Sequence, residues 1–436
     1  MSLAFRRLRY NSVVHLERRD LQKCIHCGLC LQACPTFVET GQEAESPRGR
    51  IYLMRAVVDG RLRWEQAAPH LDACMGCLGC QTACPSGVPY ARLIEAARAA
   101  VERHARNPLQ RWLRQQAIRS FTTPWRLRGM LRLARLLHLK RVPRGFARLL
   151  GASESVVQLP QLDRSDMSDL SECVPAVRER RGRVGLLLGC VMRVLFPQVH
   201  RATLEVLTRS GLEVVIPRGQ DCCGALWVHN GYPQHARTLA RRLFHAFREV
   251  DYIVVNAAGC GSTMKEYPLL FEGTREEEQA HQFSQRVRDV NELLAETGLP
   301  QPLRPVPMRL TYHDACHLVH GRGIREQPRQ LLRQVPGIEL IEMEGAELCC
   351  GSAGIYNLLQ PKLAAAALKR KVEAIQATGA DAVISANPGC TLWITQGLAE
   401  SGTPLPVYHP VEILARACTP SPSEPSALSD HVALRS

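Results

Sequence analysis

Two runs of the chain read C-x2-C-x2-C-x3-C-P. Cys24, Cys27, Cys30 and Cys34 precede Pro35, and Cys74, Cys77, Cys80 and Cys84 precede Pro85. Three thiolates at this spacing can wrap one corner of a cube of iron and sulfide, while the fourth cysteine lies too far round to join them. In two-cluster ferredoxins that fourth cysteine ligates the other cluster, and the proline behind it turns the chain away. The pattern therefore predicts one [4Fe–4S] centre on Cys24, Cys27, Cys30 and Cys84, and a second on Cys74, Cys77, Cys80 and Cys34. Zinc also uses paired C-x2-C elements, but it takes four ligands from two pairs and would leave cysteines over in each run.

Between the runs, Pro47–Arg–Gly–Arg–Ile–Tyr–Leu–Met opens an apolar-periodic stretch that predicts a helix ending at Gly60, and a second helix is expected from Pro89 to Arg106. The first 105 residues thus read as an α-helical ferredoxin-type domain with clusters between helices. Arg48 and Arg50 stand either near a cluster, where positive charge favours its reduced form, or on the surface.

The chain has 436 residues, 18 cysteines and a net charge of +14. A chain of this length needs no disulfide staples, and its cysteines are clustered as metal ligands are, so a reducing compartment is expected. The beginning of the sequence carries no apolar run of signal-peptide length, and no segment approaches the ~20 apolar residues of a membrane span. A cytoplasmic location is expected, with peripheral attachment to the inner membrane as its variant.

The positive charge is concentrated: from Arg103 to Gly151 there are thirteen Lys or Arg and no Asp or Glu. Within residues 106–180, read as a basic helical linker, leucines and arginines alternate at helical spacing. Three readings are open: a basic amphipathic helix on an anionic membrane or an acidic partner, a linker whose leucines pack on its own protein, or a nucleic-acid contact. No nucleic-acid-binding motif accompanies the charge, so no specific nucleic-acid partner is expected.

Beyond residue 180 the composition changes to α/β. Strand runs ending near Cys190 and Cys260 flank Glu213–Pro217 and a helix opened by Cys222–Cys223–Gly224. The order then repeats around Cys316, Ile338–Glu344, Cys349–Cys350–Gly351 and Cys390. The offsets are 126, 127 and 130 residues, the mark of an internal duplication, here over residues 181–300 and 301–418. Parallel α/β sheets gather residues at the carboxyl ends of their strands, so each unit is expected to assemble four cysteines: Cys190, Cys222, Cys223 and Cys260, then Cys316, Cys349, Cys350 and Cys390. One or two further iron–sulfur clusters are candidates there. His313, His317 and His409 are expected beside these sites, as ligands, proton relays or hydrogen-bonded strand-end histidines. Cys173 and Cys418 have no partners by spacing, and the Pro–Ser-rich residues 419–436 read as a disordered tail.

The doubled cysteine run, Pro47–Arg–Gly–Arg–Ile–Tyr–Leu and the duplicated Cys–Cys–Gly units, with Cys349–Cys–Gly–Ser–Ala–Gly–Ile–Tyr, together resemble the iron–sulfur subunits of bacterial glycolate oxidases (glycolate dehydrogenases) from about residue 20 to 418. More distantly the chain is similar to lactate-utilisation iron–sulfur proteins, the third subunit of anaerobic glycerol-3-phosphate dehydrogenase and the Cys–Cys–Gly subunits of heterodisulfide reductase. The resemblance implies an electron carrier: a separate flavin subunit oxidises the 2-hydroxy acid, and electrons pass through the clusters toward a membrane quinone or another acceptor. The heterodisulfide reductases, by contrast, supply five cysteines per unit from a final C-x2-C; here Ala257 and Asn387 replace the first of each pair, which weighs against thiol–disulfide chemistry on this chain. No Gly-x-Gly-x-x-Gly follows a strand and no paired carboxylates suggest hydroxy-acid activation, so substrate oxidation is expected on the partner. The fold expected is α plus α/β: the ferredoxin-type domain, then the duplicated Cys–Cys–Gly domain.

Overall fold

The computed structural model describes residues 16–139, 141–142, 157–160 and 170–418. The tail from 419 and part of the basic linker lie outside the described residues.

The described residues from 16 to 139 form helices and no strand: α1 (Arg18–Gln22), α2 (Pro35–Thr40), α3 (Pro47–Val58), α4 (Trp64–Asp72), α5 (Gly79–Thr82), α6 (Tyr90–His104), α7 (Pro108–Thr122) and α8 (Pro124–Leu136). Helix α3 begins where expected because Pro47 occupies its first turn and the Ser46 hydroxyl accepts from the Gly49 amide at 2.9 Å. Gly49 is required there, since a Cβ would fall 1.9 Å from the Glu43 carbonyl. Leu21, Ile51, Met54, Leu71, Leu93 and Ile94 bury a small core against which the cluster-motif cysteines pack.

Two sheets follow. The first has the order β1-β3-β2-β4-β5, from β1 (Cys173–Val174), β2 (Gly182–Leu186), β3 (Leu212–Val215), β4 (Tyr252–Val255) and β5 (Val287–Asp289). The second has the order β7-β6-β8-β9, from β6 (Met308–His313), β7 (Ile338–Ile341), β8 (Ala382–Ser385) and β9 (Val407–Tyr408). Apart from the antiparallel edge strand β1, all pairs are parallel. Strands β3-β2-β4-β5 and β7-β6-β8-β9 therefore have one topology, and the duplication inferred from cysteine offsets is a duplication of four-stranded units. The strands β1, β5 and β9 were not expected; at two or three residues each they are too short to show a period.

Strands β4 and β8 stop earlier than the sequence suggested. β4 ends at Val255, just past the end of its partner β2 at Leu186, and Cys260 lies in the first turn of helix Ala258–Lys265. Cys390 likewise begins helix Pro388–Glu400.

The units share one core. Leu186, Val214 and Val254 of the first sheet meet Leu310, Tyr312 and Ile384 of the second through helices Pro197–Arg209 and Pro410–Cys418. Leu127 and Leu131 of α8 belong to this core, and Ile118 of α7 to the neighbouring one. Each such leucine contributes roughly 1.5–3 kcal/mol by burial, so α7 and α8 are docked structure on one side. Their other side leaves Trp112, Trp125, Leu133 and Leu136 exposed. Among the described residues no helix is long and apolar enough to cross a membrane.

Candidate iron–sulfur centres

All eighteen cysteines are free thiols. In the two ferredoxin-type runs the backbone turns in the same way although the residues differ. His26 and Gly28 have positive φ in the first run, and Gly76 and Leu78 in the second, at matching positions on either side of the middle cysteine. Left-handed residues here fold the loop around its own sulfurs, and a non-glycine at such a position is strain held by its surroundings. For His26 the holding contact is Arg48, whose Nη1 donates to the His26 carbonyl at 2.9 Å while its Nε donates to Glu43 at 2.7 Å.

The cysteines converge on two cavities. Cys24, Cys27, Cys30 and Cys84 line one, together with Arg48 and Tyr90. Cys34, Cys74, Cys77 and Cys80 line the other, together with Arg50 and Met75. Cys80 reaches both. Each run thus sends its fourth cysteine to the other run's cavity, the arrangement that two-cluster ligation needs.

Arg50 is 1 % exposed and packed against the second set. Its Nη2 donates to Glu45 at 2.7 Å and to Thr36 at 3.0 Å, its Nε to the His70 carbonyl at 2.7 Å, and its Nη1 to Cys34 Sγ at 3.8 Å. Burial pushes the Cys74 thiol up, but the Arg50 and Arg98 guanidiniums outweigh it and bring Cys74 below the usual thiol range. Burial pushes Cys30, Cys77 and Cys80 up. The Gly76 amide and the Tyr90 hydroxyl both donate to Cys74 Sγ, at 3.3 and 3.6 Å.

In the first Cys–Cys–Gly unit, Cys222 Sγ donates to Cys190 Sγ at 3.4 Å, and Cys223 bridges Cys222 and Cys260. In the second, Cys349 meets Cys316 and Cys350 meets Cys390. The glycine of each Cys–Cys–Gly turn has positive φ, and a helix packs where its Cβ would be: Ala236 Cα at 3.0 Å from Gly224, and the Ala364 carbonyl at 2.5 Å from Gly351. The amide of each of these glycines donates to the first sulfur of its pair at 3.4 Å. All four expected cysteines are thus assembled in each unit.

The histidines divide. His317 Nδ1 lies 3.6 Å from Cys316 Sγ, and its ring is 5.0 Å from that of His229. His313 faces Cys350 and Cys390. His409, at the end of β9, instead faces Asn256 and His200 in the shared core, where burial lowers its pKa to about 3. Cys173 is exposed on the edge strand, and Cys418 closes the last helix, its thiol pushed up to about 12 by burial.

The two units stand differently to the helical domain. Tyr356 of the second unit donates to the Ala73 carbonyl at 2.8 Å, Thr82 of α5 meets His320 Nδ1 at 3.0 Å, and Met75 packs in one core with Cys349, Cys350 and Cys390. Cys77 is close enough to Cys316 for each thiolate to disfavour the other's charge. The second unit's sulfurs therefore adjoin the second cavity directly.

A family model described as a 4Fe–4S dicluster domain matches residues 20–88, and one described as a cysteine-rich domain matches residues 184–265 and again 310–395. A probable glycolate oxidase iron–sulfur subunit of Bacillus subtilis is 36% identical over 404 residues, which cover 89% of this chain and 91% of that one. The chain belongs to the glycolate oxidase iron–sulfur subunit family. The Escherichia coli member is 31% identical, with 91% and 94% of the two chains covered. A fumarate reductase (CoM/CoB) chain of Methanothermobacter marburgensis is 30% identical over 88% of this chain and 70% of its own. The matched models support two [4Fe–4S] clusters in the helical domain of this family member, and its clustered Cys–Cys–Gly cysteines support iron–sulfur binding beyond it.

Several site residues escape the sequence motifs that define the family. Lys371 is buried beside Cys349 and Cys350, donating to the Gly345 carbonyl at 2.7 Å and the Ala346 carbonyl at 3.1 Å. Its signal was present: it falls on the apolar stripe Ala364, Leu368, Val372 and Ile375 of its helix. Glu95, His229 and Glu266 form a half-buried acid–imidazole group between α6 and the first unit, with His229 Nδ1 at 2.9 Å from Glu95. Burial raises Glu95 to about 7 and Glu266 to about 8. Nothing local in the sequence joins these three.

Proposed function

We propose that this chain is the electron-transfer subunit of a glycolate (2-hydroxy-acid) dehydrogenase complex, carrying electrons from a flavin subunit, where the acid is oxidised, toward a quinone or other acceptor. The observation that carries this reading is the contact of three sulfur sets, the two crossed cavities and the second Cys–Cys–Gly unit, within one packed body. When bound, iron–sulfur clusters supply one-electron transfer without proton or group chemistry. In this reading Cys24, Cys27, Cys30 and Cys84 hold one cluster, Cys74, Cys77, Cys80 and Cys34 the other, and Cys316, Cys349, Cys350 and Cys390 a further iron–sulfur centre.

The remaining residues orient and shield. Arg50 and Arg98 place positive charge against Cys34 and Cys74, which favours the added electron. Met75, Tyr90 and Tyr356 exclude water between the second cavity and the second unit. The exposed Trp112, Trp125, Leu133 and Leu136 of α7 and α8, on a segment without acidic residues, suit the proposed resting place of the subunit on an anionic membrane surface near its acceptor.

The test is anaerobic reconstitution with the flavin subunit encoded for the same complex. Glycolate is expected to reduce the clusters, seen as the EPR signal of reduced [4Fe–4S] centres, with about eight irons per chain from the helical domain alone. Zinc in place of iron, or clusters that dithionite reduces and glycolate with the flavin subunit does not, would overturn the reading. Co-sedimentation with phosphatidylglycerol vesicles, lost in W112A/W125A, checks the membrane contact; retention by the flavin subunit instead would assign that face to protein.

A further inference from the structure

His313 ends β6 and is 1 % exposed, yet among the described residues neither ring nitrogen completes a hydrogen bond. A buried polar atom without a partner costs about 1–3 kcal/mol, and native folds retain few of them. The Ala346 carbonyl faces the ring without closing a bond to it. The imidazole cannot relax away, because the next residue is clamped: Asp314 takes Arg329 Nη1 at 2.8 Å and Nη2 at 3.0 Å in a buried two-pronged pair.

The ring points at sulfur. A nitrogen of His313, Cys350 Sγ and Cys390 Sγ all lie within 4.8 Å of one another, each buried. Asn387, standing where the more distant relatives have a fifth cysteine, donates from Nδ2 to Cys390 Sγ at 3.4 Å. The duplication supplies the control. At the offset that superposes Cys190 on Cys316, the position of His313 is held by Leu187, buried against Cys190, Cys222 and Cys223. The first unit therefore has the same four thiols and no imidazole at this position; its own His229 approaches Cys223 from the helix after the Cys–Cys–Gly turn.

We propose that His313 is a fifth protein ligand of the second unit, binding one iron of its iron–sulfur centre beside Cys350 and Cys390, so that the two copies of the duplication hold chemically different centres. This rests on the iron–sulfur reading given above. The neutral imidazole donates a nitrogen lone pair and releases no proton, while its other nitrogen turns its hydrogen toward the Ala346 carbonyl, the usual outer partner of a metal-bound histidine.

The experiment uses the full chain, purified anaerobically, with and without 15N-imidazole-labelled histidine, and reads nitrogen hyperfine coupling by pulsed EPR on the reduced protein. The expected result is a strongly coupled histidine nitrogen that changes with the isotope and disappears in H313L, while the signals of the two ferredoxin-type clusters persist. The isotope comparison needs no variant, so a leucine variant that fails to fold does not decide the question. Ferredoxin-type signals with no coupled histidine nitrogen would overturn this inference alone, whereas absence of all cluster signals would overturn the reading it rests on. Coupling that survives in H313L would also overturn it, as would stoichiometric zinc lost from the second unit on that substitution.

Discussion

The two Cys–Cys–Gly units keep one scaffold and differ in what surrounds the sulfurs. Strand order, the four cysteines and the glycine turn recur. Around the first set stand Leu187, Phe244, Tyr267 and Phe283, a mostly apolar wall in which the Tyr267 hydroxyl donates to the Cys223 carbonyl at 2.7 Å and His229 lies near Cys223. Around the second stand His313, Lys371 and Asn387, with the cavity of Cys77 adjoining. The geometry that presents thiols is thus common to both copies, and the copy whose sulfurs adjoin the Cys77 cavity carries the buried lysine and the nitrogen donors. A buried cation and a polar shell lower the cost of holding a negatively charged centre in a dry interior, so the second copy is the one suited to accept electrons from its neighbour.

The largest expected effect would test that division directly. C349S/C350S should lose about four irons per chain and cut electron flow out of the helical domain, whereas C222S/C223S should leave that step intact; iron analysis with stopped-flow reduction distinguishes them, and equal interruption by both would break the comparison. Next, R329L should destabilise the chain by up to about 3–5 kcal/mol in denaturant unfolding, since it leaves the buried Asp314 with only the longer contact to the half-exposed Arg325, at 3.7 Å. The matching position of Asp314 in the first unit is Leu188, so that unit has no charge to strand there.

A third difference is titratable. Glu266 aligns with Gln396 at the offset of Cys260 and Cys390. Burial raises Glu266 to about 8, above its unfolded value, so the folded state favours its protonated form. Its contribution is present below about pH 4.5 and is lost as pH rises toward 8. E266Q, which gives the first unit the second unit's residue, should therefore be more stable than the parent at about pH 8.5, by on the order of 2 kcal/mol, and little different at about pH 5. Unchanged melting curves at both pH values would remove this distinction. A last change is that of K371M: loss of one cation should make the second unit's centre harder to reduce by at least roughly tenfold in equilibrium, since one charge through an effective dielectric of about 20 is worth ~1.4 kcal/mol even at ~12 Å. A redox titration showing no shift would assign Lys371 to its carbonyl partners alone.

Much of this was legible before any tertiary contact was known. The helix from Pro47 was written in its proline start and its apolar spacing, all within a few residues, and the structure adds the Ser46 cap. The duplication was visible because Cys222–Cys223 and Cys349–Cys350 keep their offset while the sequence around them changes. Strands β5 and β9 were not visible, because two- and three-residue strands are made by the neighbour they pair with. The basic segment gave three readings, and only packing showed that Leu127 and Leu131 face inward while Trp112 and Trp125 face out. His409 was expected beside the cysteines and lies with Asn256 and His200 in space.

The sequence by itself determined the chemistry. Cysteine spacing within about a dozen residues is enough to specify iron–sulfur ligation, because the chain must wrap the cluster locally. Tertiary structure alone decided the wiring. The ties of Thr82 to His320 and of Tyr356 to Ala73 join residues more than 200 apart in sequence. So do the buried contacts that make the second unit, and not the first, adjoin the second cavity. Such contacts are chosen by how preformed helices and sheets fit together, a property of the whole packed surface that no local pattern records.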